Sequence, residues 1–376
     1  MSENTENHQA GIDPTIFNVN KTDYNNTPLF LGQLPGLHDS INRSDPGIHN
    51  LYKKLKNMDW DELEFDFTPC KHEFATGGTA ADMMIETIAF QWEADTIAAR
   101  HLVPLVAPFV TNSDLWKLYS RIGDNENLHA DTYSEIVKNS FDNPSEVITQ
   151  ILGINQALTR LETVAQVFKD THDVGIKLQT GEIARDSDEA YDAIFLFVIT
   201  LLCLERIQFM VSFAITFALA NSGRFMPIGF AVQKICADEY EIHAQAGKAI
   251  LDIELLTERG LMAFSRNREK IKKILMEVLN AEIANAEFLF RDGRELPGVT
   301  QDTIIGHAWL CAKDVADFLG IELSSPYLEM PKLGYMDKWM NLDNMQGSPM
   351  ELRDGKYLLG GIIPDDQGVS FNIDGL

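Results

Sequence analysis

Glu126, His129 and Tyr133 lie within a single run, Glu-Asn-Leu-His-Ala-Asp-Thr-Tyr, spanning residues 126–133. At about 100° per helical residue they share one face, so a carboxylate and an imidazole converge with a phenol one turn beyond. That is a metal-ligand pair beside a redox-capable side chain. A Glu and a His three apart also occur on ordinary solvated helix faces, so the pair takes its meaning from what the rest of the chain sets against it.

Three other stretches with helical periodicity carry acids or imidazoles at interior-looking positions: Asp95, Glu205, and the run Asp238-Glu239-Tyr240-Glu241-Ile242-His243. The order carboxylate, Glu-x-x-His, Glu, then Glu plus His is that of a dinuclear carboxylate site inside a four-helix bundle. Asp95, Glu126, Glu205 and Glu239 together carry four negative charges, which two divalent ions would balance. Left uncompensated in a core, each carboxylate would cost several kcal/mol or remain protonated. Oxygen-rich ligation with one imidazole per metal suits iron or manganese better than zinc. Arg206 follows Glu205 directly, but neighbours in sequence point about 100° apart, so a metal is the better partner for Glu205. Phe209 and Phe213 continue close to the Glu205 face and could wall an apolar pocket, a role that ordinary core packing would also give them.

The elements that must position these groups are helices. Apolar periodicity predicts one from Thr79 to about Val103, where Pro104 should stop it, and a second from Ser113 or Asp114 to about Ser140. Further helical pattern covers roughly 145–178, 187–220, 227–257, 265–290 and 301–319. Strand-like alternation is scarce, so the chain reads as nearly all-α. Residues 1–45 read as a flexible N-terminal arm, 46–320 as the helical domain, and 321–376 as C-terminal coil and tail. The 376 residues, 45% of them hydrophobic, suffice for a large core. Residues 193–220 imitate a membrane span, yet Glu205, Arg206 and Gln208 near their middle fit a buried central helix better.

A formal net charge of −25 opposes binding to nucleic acid or to an anionic membrane surface. Cys70, Cys203, Cys236 and Cys311 form no Cys-x-x-Cys pair, and the N-terminus lacks the basic and apolar regions of a secretory signal. Both features point to a reducing, cytoplasmic location.

From about Trp60 to the C-terminus, these motifs resemble the radical-generating small (β) subunit of class I ribonucleotide reductase. The resemblance rests on Asp95, Glu126-x-x-His129, Tyr133, Glu205 with Phe209 and Phe213, the Asp238–His243 region, Phe288-Leu289-Phe290-Arg291-Asp292-Gly293 and Tyr357. It implies a ferritin-like bundle of long helices enclosing a dinuclear metal site. Asp95, Glu126, His129, Glu205, Glu239 and His243 would be the ligands. Iron is the first expectation for both ions, with di-manganese or mixed manganese and iron as alternatives; a manganese form could need a flavoprotein activator. The centre would oxidise Tyr133 to a radical, enclosed by Phe209, Phe213 and Ile235. That oxidising equivalent would pass to a separate large (α) subunit, where ribonucleotides become deoxyribonucleotides. The resemblance further implies a route through Trp60, Asp238 and His129, and a tail tyrosine, Tyr357, with Glu351 a nearby acid. Residues 369–376 would dock on the large subunit, anchored by Phe371, Ile373 and Leu376, and the chain itself would be a homodimer. Without the family context, Trp60 is a packing residue, Tyr357 a surface aromatic, and Tyr133 a core phenol donating to Asp95.

The chain departs from the family at one point. The family spacing is Glu-x-x-His, whereas Glu239 precedes His243 by four residues. On a regular helix Glu239 lies about 40° from His243 and Glu241 about 160° away, which favours Glu239 as ligand and leaves Glu241 outside. A π-bulge absorbing one residue would restore the register. Two other functions fit the metal ligands alone: a ferritin-like oxidase or monooxygenase acting on a bound substrate, and an iron-binding or storage protein. Neither needs Tyr133, Trp60 or the Tyr357 tail.

Overall fold

Capped apolar stripes produce fourteen α-helices among the residues described by the computed structural model, which are 27–33, 38, 41, 43 and 45–341. In chain order these are α1 (Pro46–Asn57), α2 (Thr68–Thr76), α3 (Thr79–Val106), α4 (Ser113–Ser140), α5 (Pro144–Leu152), α6 (Asn155–Arg160) and α7 (Glu162–Thr180). There follow α8 (Asp188–Cys203), α9 (Phe209–Asn221), α10 (Met226–Asp238), α11 (Ala244–Glu254), α12 (Glu258–Leu289), α13 (Gln301–Phe318) and α14 (Gly334–Met340). No strand forms among the described residues, only isolated bridges such as Phe30 with Val110.

Two long helices are each built from two α-segments fused through a π turn. Leu204–Gln208 joins α8 to α9, and Glu239–His243 joins α10 to α11. The bonds that define the turns are Phe209 N–H to Leu204 O and Ala244 N–H to Glu239 O, each spanning five residues. Asp188–Asn221 is long and apolar enough to cross a membrane, but its most apolar stretch lies wholly buried inside the protein. It is the central helix, and its surroundings explain its uniform hydrophobicity.

The α3/α4 pair carries half of the chemistry-bearing residues. Gly123 on α4 lets the two helices approach closely, because a Cβ there would stand 2.8 Å from Val103 Cγ2 on α3. A mid-helix glycine costs about 1 kcal/mol relative to alanine, so its place here is explained by packing rather than propensity.

Several expectations from the sequence are corrected. α3 runs through Pro104 to Val106. The proline falls in the last turn, where few ladder bonds remain to be lost, and Ala107 N–H still closes on Val103 O. The pattern over 145–178 divides into α5, α6 and α7, with breaks at Gly153 and Leu161. Within the segment read as a loose arm, Leu29, Phe30 and Leu31 are buried, and Leu31 N–H and Thr111 N–H exchange bonds with Phe109 O and Leu29 O. In the segment read as coil, α14 forms and docks by stacking Trp339 on Phe217 at 5.4 Å, while Gln233 Nε2 donates to Trp339 O at 2.6 Å. Seven residues are too few to show a period, so tertiary contact decides this helix.

Replacing Gly123 with valine should lower the unfolding free energy by about 1–3 kcal/mol, through overpacking against the stiff Val103. A shift in the urea midpoint at unchanged slope would measure it, and Gly123→Ala should cost less.

Candidate metal centre

Four helical segments bring their acids and imidazoles to one buried place. α3 supplies Asp95, α4 supplies Glu126 and His129, the first π turn supplies Glu205, and the second supplies Glu239 and His243. Two overlapping groups result: Asp95, Glu126, His129 and Glu239, and then Glu126, Glu205, Glu239 and His243, with the candidate ligand atoms of each group within 4.8 Å of one another. All six side chains are essentially without solvent exposure.

Glu126 and Glu239 belong to both groups, and each offers one oxygen to each imidazole. Glu239 Oε1 lies 3.0 Å from His129 Nδ1 and its Oε2 lies 2.7 Å from His243 Nδ1. Glu126 Oε2 lies 3.7 Å from His129 Nδ1 and its Oε1 lies 3.2 Å from His243 Nδ1. Two carboxylates spanning two sites, with one imidazole and one further carboxylate at each end, form a donor set for a pair of metal ions. A second observation fits the same conclusion. Both oxygens of Asp95 and of Glu239, Glu126 Oε2, Glu205 Oε2 and both Nδ1 atoms are buried without a hydrogen-bond partner among the described residues. Buried polar atoms are normally satisfied, and cations held at this point would account for so many orphans.

The π turn at Glu239–His243 accounts for the four-residue spacing. The wider turn brings Glu239 and His243 to one side, while Glu241 turns outward and pairs with Lys54 Nζ at 2.6 Å, both side chains being substantially exposed. The first π turn, around Glu205, has no counterpart in the sequence reading. Arg206, on that turn, points away from Glu205 toward Asp314 at 2.5 Å and lies over the Tyr240 ring at 4.2 Å.

The outer nitrogens of the imidazoles are anchored by a network only half anticipated. Asp238 Oδ2 accepts from Trp60 Nε1 at 2.8 Å and sits 3.1 Å from His129 Nε2, and the Trp60 and His129 rings stack with centroids 6.1 Å apart. The missed member is Asn125. Its Nδ2 donates to the same Asp238 oxygen at 3.1 Å, and its Oδ1 lies 2.9 Å from His243 Nε2. Directly preceding Glu126, it carries no signal of its own in the sequence, since an Asn on a helix face is unremarked until both partners arrive. Such outer anchors fix the tautomer and orientation of metal-binding imidazoles.

Tyr133 is fully buried, and its hydroxyl has no hydrogen-bond partner among the described residues. The bond to Asp95 that a core phenol would have been expected to make is not formed. Phe209, Phe213 and Ile235 are likewise buried. Tyr357, Glu351 and the 369–376 tail lie outside the described residues.

Burial first, and then the charge of neighbouring Glu126, pushes the Asp95 carboxyl well above the usual carboxylate range. Burial and then Glu239 do the same to Glu205. Glu239 goes the other way: burial opposes its charge, but His243 and His129 outweigh it and hold the carboxyl low. Burial alone would lower His243, yet Glu239 and Glu126 push it up to about 10. Burial and then Asp95 push the Tyr133 phenol well up. In the metal-free site burial and mutual repulsion thus favour the protonated forms of Asp95 and Glu205, and the neighbouring carboxylates favour the protonated form of His243.

A family model described as "Ribonucleotide reductase, small chain" matches residues 40–321, three quarters of the chain. The chain belongs to the ribonucleotide reductase small-chain family. Among its relatives, the ribonucleoside-diphosphate reductase subunit beta of Buchnera aphidicola from Schizaphis graminum is 24% identical, the match covering 93% of this chain and 96% of the relative. The ribonucleoside-diphosphate reductase 1 subunit beta of Escherichia coli O157:H7 is 22% identical over the same shares. A ribonucleotide reductase R2 subunit from Clostridium botulinum superposes with a TM-score of 0.71 at 16% identity, covering 84% of this chain and 94% of that one. A dimanganese(II) NrdF from Streptococcus sanguinis superposes with a TM-score of 0.58 at 15% identity, covering 82% and 98%. The fold is thus the ferritin-like bundle of this small-chain family.

Two outcomes are expected of the site. Glu239→Ala should lower bound metal per chain, whereas Glu241→Ala should leave it unchanged when both are assayed by elemental analysis. Loss of metal in the second variant alone would reverse the register. Because groups with raised pKa values hold protons that metal must displace, uptake should release protons at neutral pH and weaken as pH falls. Calorimetry in buffers of different ionisation enthalpy would show it.

Proposed function

We propose that this chain is the radical-generating small subunit of a ribonucleoside-diphosphate reductase, with Tyr133 as the residue that carries the radical. The observation that carries the proposal is a fully buried, unpartnered phenol one helical turn beyond His129, a member of a six-residue donor set whose inward atoms are also unpartnered. Asp95, Glu126, His129, Glu205, Glu239 and His243 would hold two metal ions. Once bound, these would draw on dioxygen or a reduced oxygen species and supply the oxidising equivalent that takes one electron from Tyr133. We propose iron, with di-manganese or mixed manganese and iron served by the same oxygen-rich ligands.

The chain's own residues do the rest. Phe209, Phe213 and Ile235 keep water from the phenol, which protects an unpaired electron from being quenched. The phenol proton must leave with the electron, and Asp95 is the carboxylate whose charge acts most strongly on Tyr133. Burial disfavours tyrosinate, so the proton stays on the hydroxyl until the electron is drawn. The hydrogen-bonded sequence His129, Asp238, Trp60 connects the inner site to an indole that retains 8% of its exposure, and so supports an outward route for the oxidising equivalent. From there we propose passage through the tail, by way of Tyr357, to a large subunit that reduces ribonucleotides. Docking would involve residues 369–376. We further propose a homodimer working in the cytoplasm, consistent with four free cysteines, and, given the net charge of −25, one that binds neither nucleic acid nor membrane.

Electron paramagnetic resonance on protein reconstituted with iron and oxygen, or with manganese and an activating oxidant, should show a tyrosyl signal. Tyr133→Phe should abolish it while keeping metal content. A tyrosyl signal that survives in Tyr133→Phe would remove this residue from the role. Its absence from the wild type under every metallation would favour an oxidase that acts on a bound substrate.

A further inference from the structure

We propose that a buried ion pair between Arg160 and Glu282, latched to Gln208, is a positioning device that holds open the π turn carrying Glu205. Arg160 ends the short helix α6, Glu282 lies on α12, and Gln208 closes the turn; their exposures are 3%, 0% and 0%. The guanidinium forks onto the carboxylate, with Nε to Oε1 at 3.0 Å and Nη2 to Oε2 at 2.7 Å, and its Cζ lies over the Phe90 ring, 3.4 Å from the centroid. Three further bonds tie this fork to Gln208. Arg160 Nη2 donates to the Gln208 carbonyl at 3.3 Å, and Gln208 Nε2 donates to the Arg160 carbonyl at 2.7 Å and to Glu282 Oε1 at 3.3 Å.

A pair this deeply buried is a poor source of stability, because apolar side chains of similar size would serve the core as well or better. What it adds is fixed geometry, since a planar fork held on both sides cannot rotate. The segment it grips needs such a hold. A π turn is a local interruption of an α-helix, and its reversion to the regular register would turn Glu205 by about 100° relative to the helix that follows.

The two π turns are held differently. The turn at Glu239–His243 is fixed from inside the site, through Asn125 on His243 and through the contacts of Glu239 with both imidazoles. The Arg160 latch acts on the other turn. Its removal should therefore weaken the group Glu126, Glu205, Glu239 and His243, and spare the group Asp95, Glu126, His129 and Glu239, which does not contain Glu205.

The inference rests on the dimetal reading, and the test separates the two. Mn(II) is titrated into metal-free protein, followed by calorimetry and electron paramagnetic resonance. Wild type should take two ions per chain and give an exchange-coupled spectrum. The double variant Arg160→Met/Glu282→Leu replaces the pair with apolar side chains. It should keep one site and lose affinity at the other by roughly 10–100-fold, with isolated Mn(II) replacing the coupled signal. Gln208→Leu, which leaves the ion pair in place, should do the same and carries the test if the double variant does not fold. Unchanged affinities at both sites in a folded variant would overturn the latch, and so would equal loss at both. A wild type that takes up no Mn(II) would overturn the dimetal reading itself, and the latch with it.

Discussion

The structure turns on a concentration of negative charge placed where water does not reach. Four carboxylates in an apolar core repel one another and each loses its hydration, so the bundle is tenable only if something positive enters or protons stay on. Metal-free, the site answers the conflict by shifting titrations in opposite directions: Asp95 and Glu205 are pushed up by burial and by neighbouring carboxylates, while Glu239 is held low between two imidazoles. With cations present the same atoms would serve as donors, and the orphaned oxygens and Nδ1 atoms would gain partners. Folding and metal uptake are thereby linked through a single electrostatic condition.

That condition shapes the helices. Regular α-geometry leaves Glu239 about 40° from His243 at a spacing of four, and the widened turn reduces that offset so that both face the site. The same device recurs around Glu205. Both turns lie in helices that pack into the core, the one around Glu205 strongly apolar, so tertiary packing supports a backbone that is locally less favourable. Outside the site, Arg206 is occupied by Asp314 and Tyr240, which keeps a positive charge from collapsing onto the carboxylates from behind.

Much of this was legible in the chain because ligand chemistry restricts residue types. Asp95, Glu126, His129, Glu205, Glu239 and His243 are identifiable as polar exceptions on apolar faces, and helical periodicity was enough to bring them together. The π turn at Glu239 was inferable from a one-residue mismatch in spacing. The turn at Glu205 was not, since a lone ligand has no partner in its own helix against which to register a shift. Asn125, Arg160, Glu282 and Gln208 were also out of reach: their roles come from meetings across 48 to 122 residues of sequence, and none is unusual where it stands. α14 escaped for a related reason, being fixed by Trp339 against Phe217 rather than by its own seven residues.

The anchoring of the two histidines by Asn125 and Asp238 has a further consequence. Each ring presents Nδ1 inward and Nε2 outward, and both outer nitrogens lead to one carboxylate oxygen, directly for His129 and through an amide for His243. Asp238 is therefore a shared counter-charge. Drawing it toward one ring loosens its hold on the other, so the basicity of either imidazole depends on its counterpart, and the two ends of the centre are tuned jointly rather than one at a time.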